Sequence, residues 1–281
     1  MGRFWSLLFL TVPILGVLTF VCAIGNIWPL NGGTLAFPAD QWLPDDVSEN
    51  GGVIDNLFMF ILYLTGVIFI GTSIALFLFM WKFDAEKNAE PVKFTHGSHT
   101  LEIVWSILPA AALLFIAIYQ MNAWVDAKMK RPTEMIGRSE VPKRPLVEVT
   151  GRQFEWRLRY AGADGQIGTP DDLHAVNDLH IPVNQEVVIT LKSQDVLHSF
   201  FLPNLRVKQD AVPGMKQFVW FQANEVGAFD IVCAELCGWG HYKMRGRLTV
   251  ESQEDFDKWF AEQMSEQERT EFTPSSGDDD E

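Results

Sequence analysis

Long apolar segments and short alternating segments divide the chain into two parts. Three apolar runs, residues 4–24, 55–81 and 101–124, fall within the first 125 residues. The second and third runs each exceed the roughly 20 apolar residues that an α-helix needs to cross a bilayer. From Pro145 onward, apolar and polar positions alternate over short stretches, which is typical of half-buried strands. The pattern therefore predicts membrane helices followed by a β-rich domain.

The second and third runs predict a transmembrane helical hairpin over residues 55–126. Residues 25–54 contain acidic side chains but no Lys or Arg, so they are expected to form an outer acidic segment. The loop between the two helices contains Lys82, Lys87 and Lys93, whereas residues 25–54 contain no Lys or Arg. Because positive loops stay inside, this loop is predicted to be cytoplasmic. The third run then crosses the membrane in the opposite direction, so the linker at 127–144 and the domain after it are predicted to lie on the outer face.

The first apolar run has two interpretations that the residues leave open. Residues 1–24 form either a signal peptide or a retained N-terminal transmembrane helix, because the run is long for a signal peptide but follows a single charge at Arg3. Cys22 suggests a lipoprotein site, but Val21 before it is bulkier than the small residue that such a site needs.

Residues 145–264 predict a β-sandwich of ordinary domain size. PLVEVTGRQFEWRLRYA is interpreted as one strand, and five shorter stretches follow it: EVVITLK, LHSFFLP, KQFVWFQ, GAFDIVC and RGRLTVE. Closely spaced strands without helical periodicity between them predict an antiparallel sandwich or barrel. A closing helix is expected over 255–264, and the acidic tail 265–281 is expected to be disordered. The Asp- and Gly-rich stretch 162–173 is interpreted as a solvated hairpin insertion, because its spacing misses the calcium-binding loop.

Charge and cysteine content narrow the function. The formal net charge of -14 argues against nucleic acid as a partner, because its phosphates would be repelled, and favours a basic partner instead. Only three cysteines are present, Cys22, Cys233 and Cys237, which excludes a disulfide scaffold.

Residues 233–244, CAELCGWGHYKM, place two thiols, an imidazole and a thioether within twelve positions of a loop between two predicted strands. Zinc rarely takes a thioether ligand. A single-copper electron-transfer site uses one Cys, two His and a weak axial Met. Here the thiol is doubled, so the cluster of Cys233, Cys237, His241 and Met244 predicts two copper ions that share two sulfurs.

The second imidazole of such a site must come from elsewhere in the sandwich. His198, at the start of LHSFFLP, is the best candidate, and a backbone carbonyl would complete the weak ligands. The competing interpretation is a disulfide between Cys233 and Cys237. A disulfide leaves the spacing of His241 and Met244 unexplained.

Over roughly residues 55–262 the chain resembles subunit II of the haem–copper cytochrome c oxidases. The resemblance is carried by DVLHSFFLPNLRVKQDAVPG at 195–214, by CAELCGWGHYKM, and by the second-helix stretch LEIVWSILP. It implies a membrane-anchored, cupredoxin-like β-sandwich with a dinuclear copper A centre. The implied copper ligands are His198, Cys233, the backbone carbonyl of Glu235, Cys237, His241 and Met244.

The resemblance also implies roles outside the copper ligands. The Glu235 carboxylate is expected to bind Mg²⁺ at the interface with subunit I, and Asp195 is expected to lie where cytochrome c docks. Glu102 is expected at the mouth of a proton pathway into subunit I. Its position at the end of the helix, taken alone, favours a carboxylate that snorkels to the aqueous phase and has no role in proton uptake. The expected partners are subunits I and III and a cytochrome c or a cytochrome domain of a larger complex. The expected location is the plasma (inner) membrane of a bacterium, with the copper domain on the periplasmic face.

The electron-input segment departs from the family pattern. The family has Gln-Trp-x-Trp, whereas this chain has Gln153-Phe154-Glu155-Trp156. Phe154 therefore replaces the indole, and Trp156, two residues along the same predicted strand, is expected to take its place on the same surface. The change favours a cytochrome domain held in a larger complex over freely diffusing cytochrome c. The chain has no C-x-x-C-H haem-attachment motif, so it is not expected to carry a haem domain of its own.

The predicted function is that of the electron-transfer subunit of an aerobic terminal oxidase. Electrons from a cytochrome c-type donor would pass through this chain to subunit I, where oxygen reduction is coupled to proton translocation. No oxygen-reducing site is expected in this chain itself. The alternatives are a membrane-anchored copper carrier or assembly protein, and the copper A domain of a nitrous-oxide-type reductase. The hairpin with Glu102 argues against the second alternative.

Overall fold

The computed structural model describes residues 2–24, 43–84, 94 and 96–272. The chain divides into two compact units, of which one holds residues 1–45 and 55–121 and the other holds residues 46–54 and 122–281. Three groups of residues with predictions attached lie outside the described residues: most of the outer acidic segment (25–42), the loop cations Lys87 and Lys93, and the end of the tail (273–281).

Long apolar helices make up the first unit. They are α1 (Gly2–Ile24), α2 (Gly51–Lys82) and α3 (His99–Tyr119). Each contains a segment long and apolar enough to span a membrane, with mean hydropathy between 2.2 and 2.3. α2 contacts α3 through Phe60, whose ring centroid lies 6.2 Å from that of Phe115 and 5.8 Å from that of Tyr119. The predicted membrane helices are confirmed, and α1 is helical over the whole first apolar run, as both interpretations of that run require.

The second unit is a β-sandwich. Its strands are β1 (Thr133–Ile136), β2 (Ser139–Pro142), β3 (Val147–Arg152), β4 (Glu155–Tyr160), β5 (Leu173–Val176), β6 (Asp178–Pro182), β7 (Glu186–Ser193), β8 (His198–Leu202), β9 (Val207–Ala211), β10 (Gln217–Gln222), β11 (Gly227–Cys233) and β12 (Arg245–Glu251). One sheet has the order β10-β7-β3-β4-β5 and the other β6-β12-β11-β8-β9. Both sheets contribute side chains to one buried core. The predicted cupredoxin-like sandwich is confirmed.

Strand pairing differs from the prediction in two respects. The sheets are mixed rather than antiparallel, because β3 pairs in parallel with β7 and β6 in parallel with β12. Parallel partners are joined by long crossovers, so a local pattern does not reveal them. The stretch predicted as one strand is the hairpin β3–β4, in which Gly151 pairs with Trp156 and Arg152 pairs with Glu155. Gln153 and Phe154 form its two-residue turn.

The C-terminal helix α4 spans Gln253–Phe272. The prediction of a helix limited to 255–264 is therefore too short, and the prediction of disorder from 265 onward is wrong up to residue 272. The Gln267 side chain accepts a hydrogen bond from the backbone N–H of His174 and donates one to the backbone carbonyl of Asp172, both at 2.9 Å. The apolar face of α4 packs on the sandwich through Phe256, Trp259, Phe260 and Met264. These tertiary contacts hold a segment in helical form although its acidic composition by itself favours disorder.

Two segments predicted to lie outside the sandwich belong to the same compact unit as the sandwich. Residues 127–144, predicted as a linker, contain the antiparallel hairpin β1–β2. In the predicted outer acidic segment, Val47 is buried in the core, and Ser48 forms an antiparallel bridge with Ala223. Val47 is attached by packing in the core, and Lys143 by a hydrogen bond from its ammonium group to the carbonyl of Glu186 at 2.6 Å, so both attachments involve residues distant in the chain.

The Asp- and Gly-rich stretch 162–173 connects β4 to β5. Asp172 is fully buried, and its carboxylate accepts hydrogen bonds from the backbone N–H groups of Gly168 and Thr169 at 2.7 and 3.2 Å. The guanidinium of Arg159 lies 3.7 Å from the same carboxylate. The Asp172 carboxylate therefore binds backbone groups of its own loop, in agreement with the hairpin-insertion interpretation.

Candidate metal centre

Neighbouring strand ends of the second sheet carry sulfur and imidazole side chains. β11 lies between β8 and β12, and Cys233, the last residue of β11, is paired with Phe200 of β8. His198 begins β8, and Met244 immediately precedes β12. The backbone N–H of Cys233 donates to the carbonyl of Met244 at 3.2 Å. Strand register therefore brings these three side chains to one end of the sheet.

The loop between β11 and β12 folds Cys237 and His241 back onto the same place. Gly238 has a φ of 137°, which glycine adopts without a steric penalty. A single turn of 3₁₀ helix follows over His241–Lys243, and the backbone N–H of His241 donates to the carbonyl of Gly238 at 3.1 Å. These two features tighten the loop beneath the strand ends.

The strong donor atoms form two matched halves. Cys233 Sγ lies 3.8 Å from His198 Nδ1, and Cys237 Sγ lies 3.7 Å from His241 Nδ1. The two sulfurs are 3.9 Å apart, well beyond the roughly 2.05 Å of a disulfide, and both thiols are free. The disulfide interpretation is therefore wrong for this structure.

Each half also has a weak donor. The backbone carbonyl oxygen of Glu235 lies 3.3 Å from Cys233 Sγ, and Met244 Sδ lies 3.8 Å from Cys237 Sγ. Metal–N and metal–S bonds are about 2.0 and 2.3 Å long, so two donor atoms that bind the same ion lie roughly 3.5 Å from each other. The spacing and the chemistry of these donors fit two soft metal ions that share two thiolates. Within the described part of the chain, ligand atoms of His198, Cys233 and Cys237 lie within 4.8 Å of one another.

The surroundings make the two thiols unequal. Burial opposes ionisation of Cys233, but hydrogen bonds from His198 and from backbone groups outweigh it and lower the pKa of this thiol to about 6. For Cys237, burial and the neighbouring Cys233 raise the pKa to about 11. At neutral pH the pair therefore holds one thiolate and one thiol, so a metal that binds both sulfurs must displace one proton.

Asp195 orients the His198 imidazole. His198 Nε2 is hydrogen-bonded to Asp195 Oδ1 at 2.8 Å, which leaves Nδ1 facing Cys233. Asp195 also accepts from the backbone N–H groups of Gln153 at 2.8 Å and Val196 at 2.6 Å. Burial opposes its charge, but these hydrogen bonds keep the pKa of Asp195 below its ordinary value. Burial works against the His198 cation as well, yet Cys233 and Asp195 together raise the pKa of His198.

Comparison with known proteins agrees with this geometry. The family described as cytochrome c oxidase subunit II, periplasmic domain, matches residues 160–252, and its transmembrane domain matches residues 36–123. The alternative cytochrome c oxidase subunit 2 of Bradyrhizobium diazoefficiens is 30% identical over 260 residues, which cover 83% of this chain and 88% of that protein. The chain belongs to the cytochrome c oxidase subunit II family.

Further relatives extend this similarity over most of the chain. The cytochrome c oxidase subunit 2 of Thermostichus vulcanus is 28% identical over 288 residues, covering 83% of this chain and 84% of that protein. The solved periplasmic domain of subunit II from Bradyrhizobium japonicum is 29% identical and covers 45% of this chain and 98% of its own, with a TM-score of 0.39. Subunit II is a component of an oxidoreductase complex, and the family implies a copper A site. The apolar helices make this member membrane-anchored.

The structure contradicts the prediction for one electron-input residue of this subunit II. Trp156 is fully buried, so the prediction that it faces the donor is wrong. The turn at Gln153 and Phe154 interrupts the strand, and therefore Phe154 and Trp156 do not follow one strand alternation. Trp156 instead packs edge-to-face on His198 and Phe200, with ring centroids 6.0 and 5.3 Å away. Phe154 is half-buried beside Gly238 and Gly240 of the β11–β12 loop, and its role in electron input stays a prediction.

The other predicted functional residues lie in different parts of the chain. Asp195 is turned towards His198 and the backbone, and its docking role stays a prediction. The backbone of Glu235 faces the thiol cluster, while magnesium binding by its carboxylate stays a prediction. Glu102 lies in the first turn of α3, where its Oε2 is 3.7 Å from His99 Nδ1. Its part in proton uptake also stays a prediction.

Gly151 is a site residue that the sequence interpretation missed. A Cβ atom at this position would lie 2.9 Å from His198 Cδ2 and 3.2 Å from Trp156 Cζ3. Glycine inside a strand often marks such a close approach. The signal was its position in VEVTGR, where a strand otherwise rich in Val and Thr is interrupted. Gly151 makes room for the His198 imidazole.

Proposed function

We propose that this chain is the electron-transfer subunit of an aerobic terminal oxidase. It accepts electrons from a cytochrome-type donor and passes them to subunit I, where oxygen reduction is coupled to proton translocation. The observation that carries the proposal is the matched pair of thiol–imidazole contacts, 3.8 Å between Cys233 and His198 and 3.7 Å between Cys237 and His241. The sulfurs of these two pairs lie 3.9 Å apart, which suits two shared thiolates.

The chain's own residues prepare this site. Two copper ions would be held by His198, Cys233, the Glu235 carbonyl, Cys237, His241 and Met244. A thiolate-bridged copper pair supplies one-electron transfer with little change in geometry. Cys233, Cys237 and Met244 are exposed by only 8%, 3% and 2%, so the fold keeps water away from the sulfur atoms. The Gln153 side-chain amide donates to the carbonyl of Cys237 and holds the loop in place.

Metal analysis and electron paramagnetic resonance of the purified full-length chain, without the other subunits, test this proposal. We expect two copper ions per chain and one unpaired electron coupled equally to both nuclei. Hyperfine coupling to a single copper, or bound zinc, would contradict it. Copper that a mild chelator removes readily, without fast redox turnover, would favour the copper-carrier alternative.

The Glu102 carboxylate is proposed as the opening of a proton pathway into subunit I. Its position in the first turn of α3 and its half-exposed side chain support this role. Glu102→Gln should slow steady-state oxygen consumption while reduction of copper by the donor stays intact. Glu254→Gln, which removes an exposed carboxylate from α4, is the matched control. Unchanged turnover of Glu102→Gln across a pH series would show that Glu102 snorkels to the aqueous phase and has no role in proton uptake.

The remaining assignments follow from the same proposal. The Glu235 carboxylate is proposed to bind Mg²⁺ shared with subunit I, and Asp195 is proposed to lie on the donor-facing side. Subunits I and III are the proposed partners in the membrane. The proposed location is the plasma membrane of a bacterium, with the copper domain on the periplasmic face. Metal analysis for magnesium in a Glu235→Ala oxidase tests the first of these assignments.

A further inference from the structure

The turn between β3 and β4 reaches from the first sheet to the candidate metal centre on the second sheet. Gln153 and Phe154 form this turn. Gln153 makes two hydrogen bonds there with two different groups. Its backbone N–H donates to Asp195 Oδ2 at 2.8 Å, and its side-chain amide donates to the backbone carbonyl of Cys237. One residue of the first sheet therefore contacts both sides of the centre.

The backbone contact of Gln153 acts on the side of the centre formed by His198 and Cys233. The other oxygen of Asp195, Oδ1, is hydrogen-bonded to His198 Nε2 at 2.8 Å, and His198 Nδ1 faces Cys233 Sγ at 3.8 Å. Every residue except proline carries a backbone N–H. This contact is therefore kept when the Gln153 side chain is exchanged for that of another residue.

The side-chain contact of Gln153 acts on the β11–β12 loop. A Cβ atom on Gly238 would lie only 2.7 Å from Gln153 Nε2, so the amide approaches the loop where a glycine leaves space. The backbone N–H of Ala234 joins the loop to β8 at 3.0 Å, and that of His241 joins the loop to its own Gly238 at 3.1 Å. The bond from Gln153 to Cys237 attaches the middle of the loop to the first sheet.

The two sides of the centre have nearly the same dimensions. Cys233 Sγ lies 3.8 Å from His198 Nδ1, Cys237 Sγ lies 3.7 Å from His241 Nδ1, and the two sulfurs are 3.9 Å apart. Two metal ions share an electron evenly only when their ligand sets are alike, because a difference in geometry stabilises the reduced state of one ion over that of the other. His198 belongs to a strand, whereas Cys237 and His241 belong to a loop, so a contact common to both sides keeps them matched.

We propose that Gln153 is a positioning residue, which holds the Cys237–His241 side of the centre at the spacing of the His198–Cys233 side so that two bound copper ions share one unpaired electron evenly. The inference rests on the proposed function of the copper site. Loss of the Gln153 amide frees the loop, while the backbone N–H still fixes Asp195. One side of the centre then moves and the other does not, and the two copper ions become unequal.

Electron paramagnetic resonance of the copper-loaded, purified full-length chain tests this role. Gln153→Met keeps a side chain of similar length and removes the amide, so we expect unequal hyperfine coupling to the two copper nuclei. Competition with a copper chelator should show a loss of affinity of about fivefold, the usual worth of one hydrogen bond. Gln194→Met is the matched control, because Gln194 is an exposed glutamine next to Asp195 whose backbone N–H donates to the carbonyl of Gly151 at 2.9 Å. Equal coupling and unchanged affinity in Gln153→Met would overturn the proposal.

Two further variants distinguish the hydrogen bond from simple filling of space. Gln153→Glu has the shape of glutamine, but its carboxylate accepts hydrogen bonds and is repelled by the Cys237 carbonyl. Gln153→Lys differs in shape but supplies an N–H donor again. We expect unequal coupling in Gln153→Glu and recovery towards equal coupling in Gln153→Lys. Recovery by glutamate and not by lysine would overturn the proposal.

Hydrogen exchange of the metal-free chain provides a measurement that does not depend on copper. Backbone amides of residues 234–243 should exchange faster in Gln153→Met than in the wild type, while those of α4 stay unchanged and show that the domain is folded. Unchanged exchange of the loop would overturn the proposal. A wild-type chain that binds no copper pair would overturn the proposed function, whereas a normal wild-type pair with an unaltered signal in Gln153→Met would overturn only the role of Gln153.

Discussion

The Asp195 carboxylate lies 2.8 Å from His198 Nε2 and so determines which imidazole nitrogen faces the thiol cluster. His198 Nδ1 then points at Cys233 Sγ from 3.8 Å. Asp195 is itself fixed by the backbone N–H groups of Gln153 and Val196. One carboxylate thereby links the β3–β4 turn to the first residue of β8, and its position governs the geometry of the metal centre.

Asp195→Ala should lower copper affinity about 10- to 100-fold, because the imidazole loses the partner that orients it. Competition with a copper chelator measures this loss. Asp195→Asn, which keeps a hydrogen-bond acceptor, should recover part of the affinity. Asp230→Ala on β11 removes an exposed carboxylate paired with Arg245 and serves as the control. Affinity in Asp195→Ala equal to that of the control would contradict an orienting role.

Met244→Leu should retain copper but change its redox potential. The Met244 side chain is buried and its sulfur lies 3.8 Å from Cys237 Sγ, so it is placed as a weak ligand. Leucine has a similar volume, and such exchanges cost less than about 1.5 kcal/mol. Redox titration of the purified protein measures the change. Cys237→Ser is the contrasting variant and should abolish the dinuclear centre, because a bridging sulfur is lost. An unchanged potential in Met244→Leu would remove Met244 from the ligand set.

Gly151→Ala should destabilise the domain by about 1–3 kcal/mol, the usual cost of forcing an extra carbon into a packed core. The added Cβ would meet His198 Cδ2 at 2.9 Å and Trp156 Cζ3 at 3.2 Å. Denaturant unfolding measures the cost, and the electron paramagnetic resonance signal should shift with the displaced imidazole. Gly52→Ala is the control, since nothing lies within 4 Å of a Cβ there. A Gly151→Ala protein with the stability and signal of the wild type would show that this space is not needed.

The two loop thiols should titrate far apart in the metal-free protein. Because the pKa of Cys233 is lowered, its thiolate forms above a pH of about 6 and is lost as the pH falls through that value. Because the pKa of Cys237 is raised, it keeps its proton until the pH passes about 11. Ultraviolet thiolate absorbance of a Cys22→Ser protein measures both steps, and Cys233→Ser should remove the lower one. A single step for both thiols near the ordinary cysteine value of about 8.5 would contradict this inequality.

Much of the fold could be predicted from the sequence because its signals are local. Apolar runs reveal membrane helices through length alone, as for α2 and α3. β7 and β11 are visible as short, largely apolar stretches between turn residues, and β12 is visible as a short stretch that alternates polar and apolar residues. The helix beyond residue 264 was missed, since its stability comes from Gln267 and the apolar face of α4 packing on the sandwich. The parallel pairs were missed because their partners are distant in the chain.

The sequence by itself determined which donor types lie close together in the candidate metal centre, because Cys233, Cys237, His241 and Met244 follow one another within twelve residues. Only the tertiary structure decided which aromatic side chain lies beside the β11–β12 loop in solvent. A strand pattern placed Phe154 and Trp156 on one surface, but Phe154 lies in the β3–β4 turn, whereas Trp156 lies in β4 and is buried against His198. Trp239 is exposed instead, since its loop passes over Phe154. Spacing along the chain indicates candidate ligands, whereas the direction of a side chain depends on where the backbone turns.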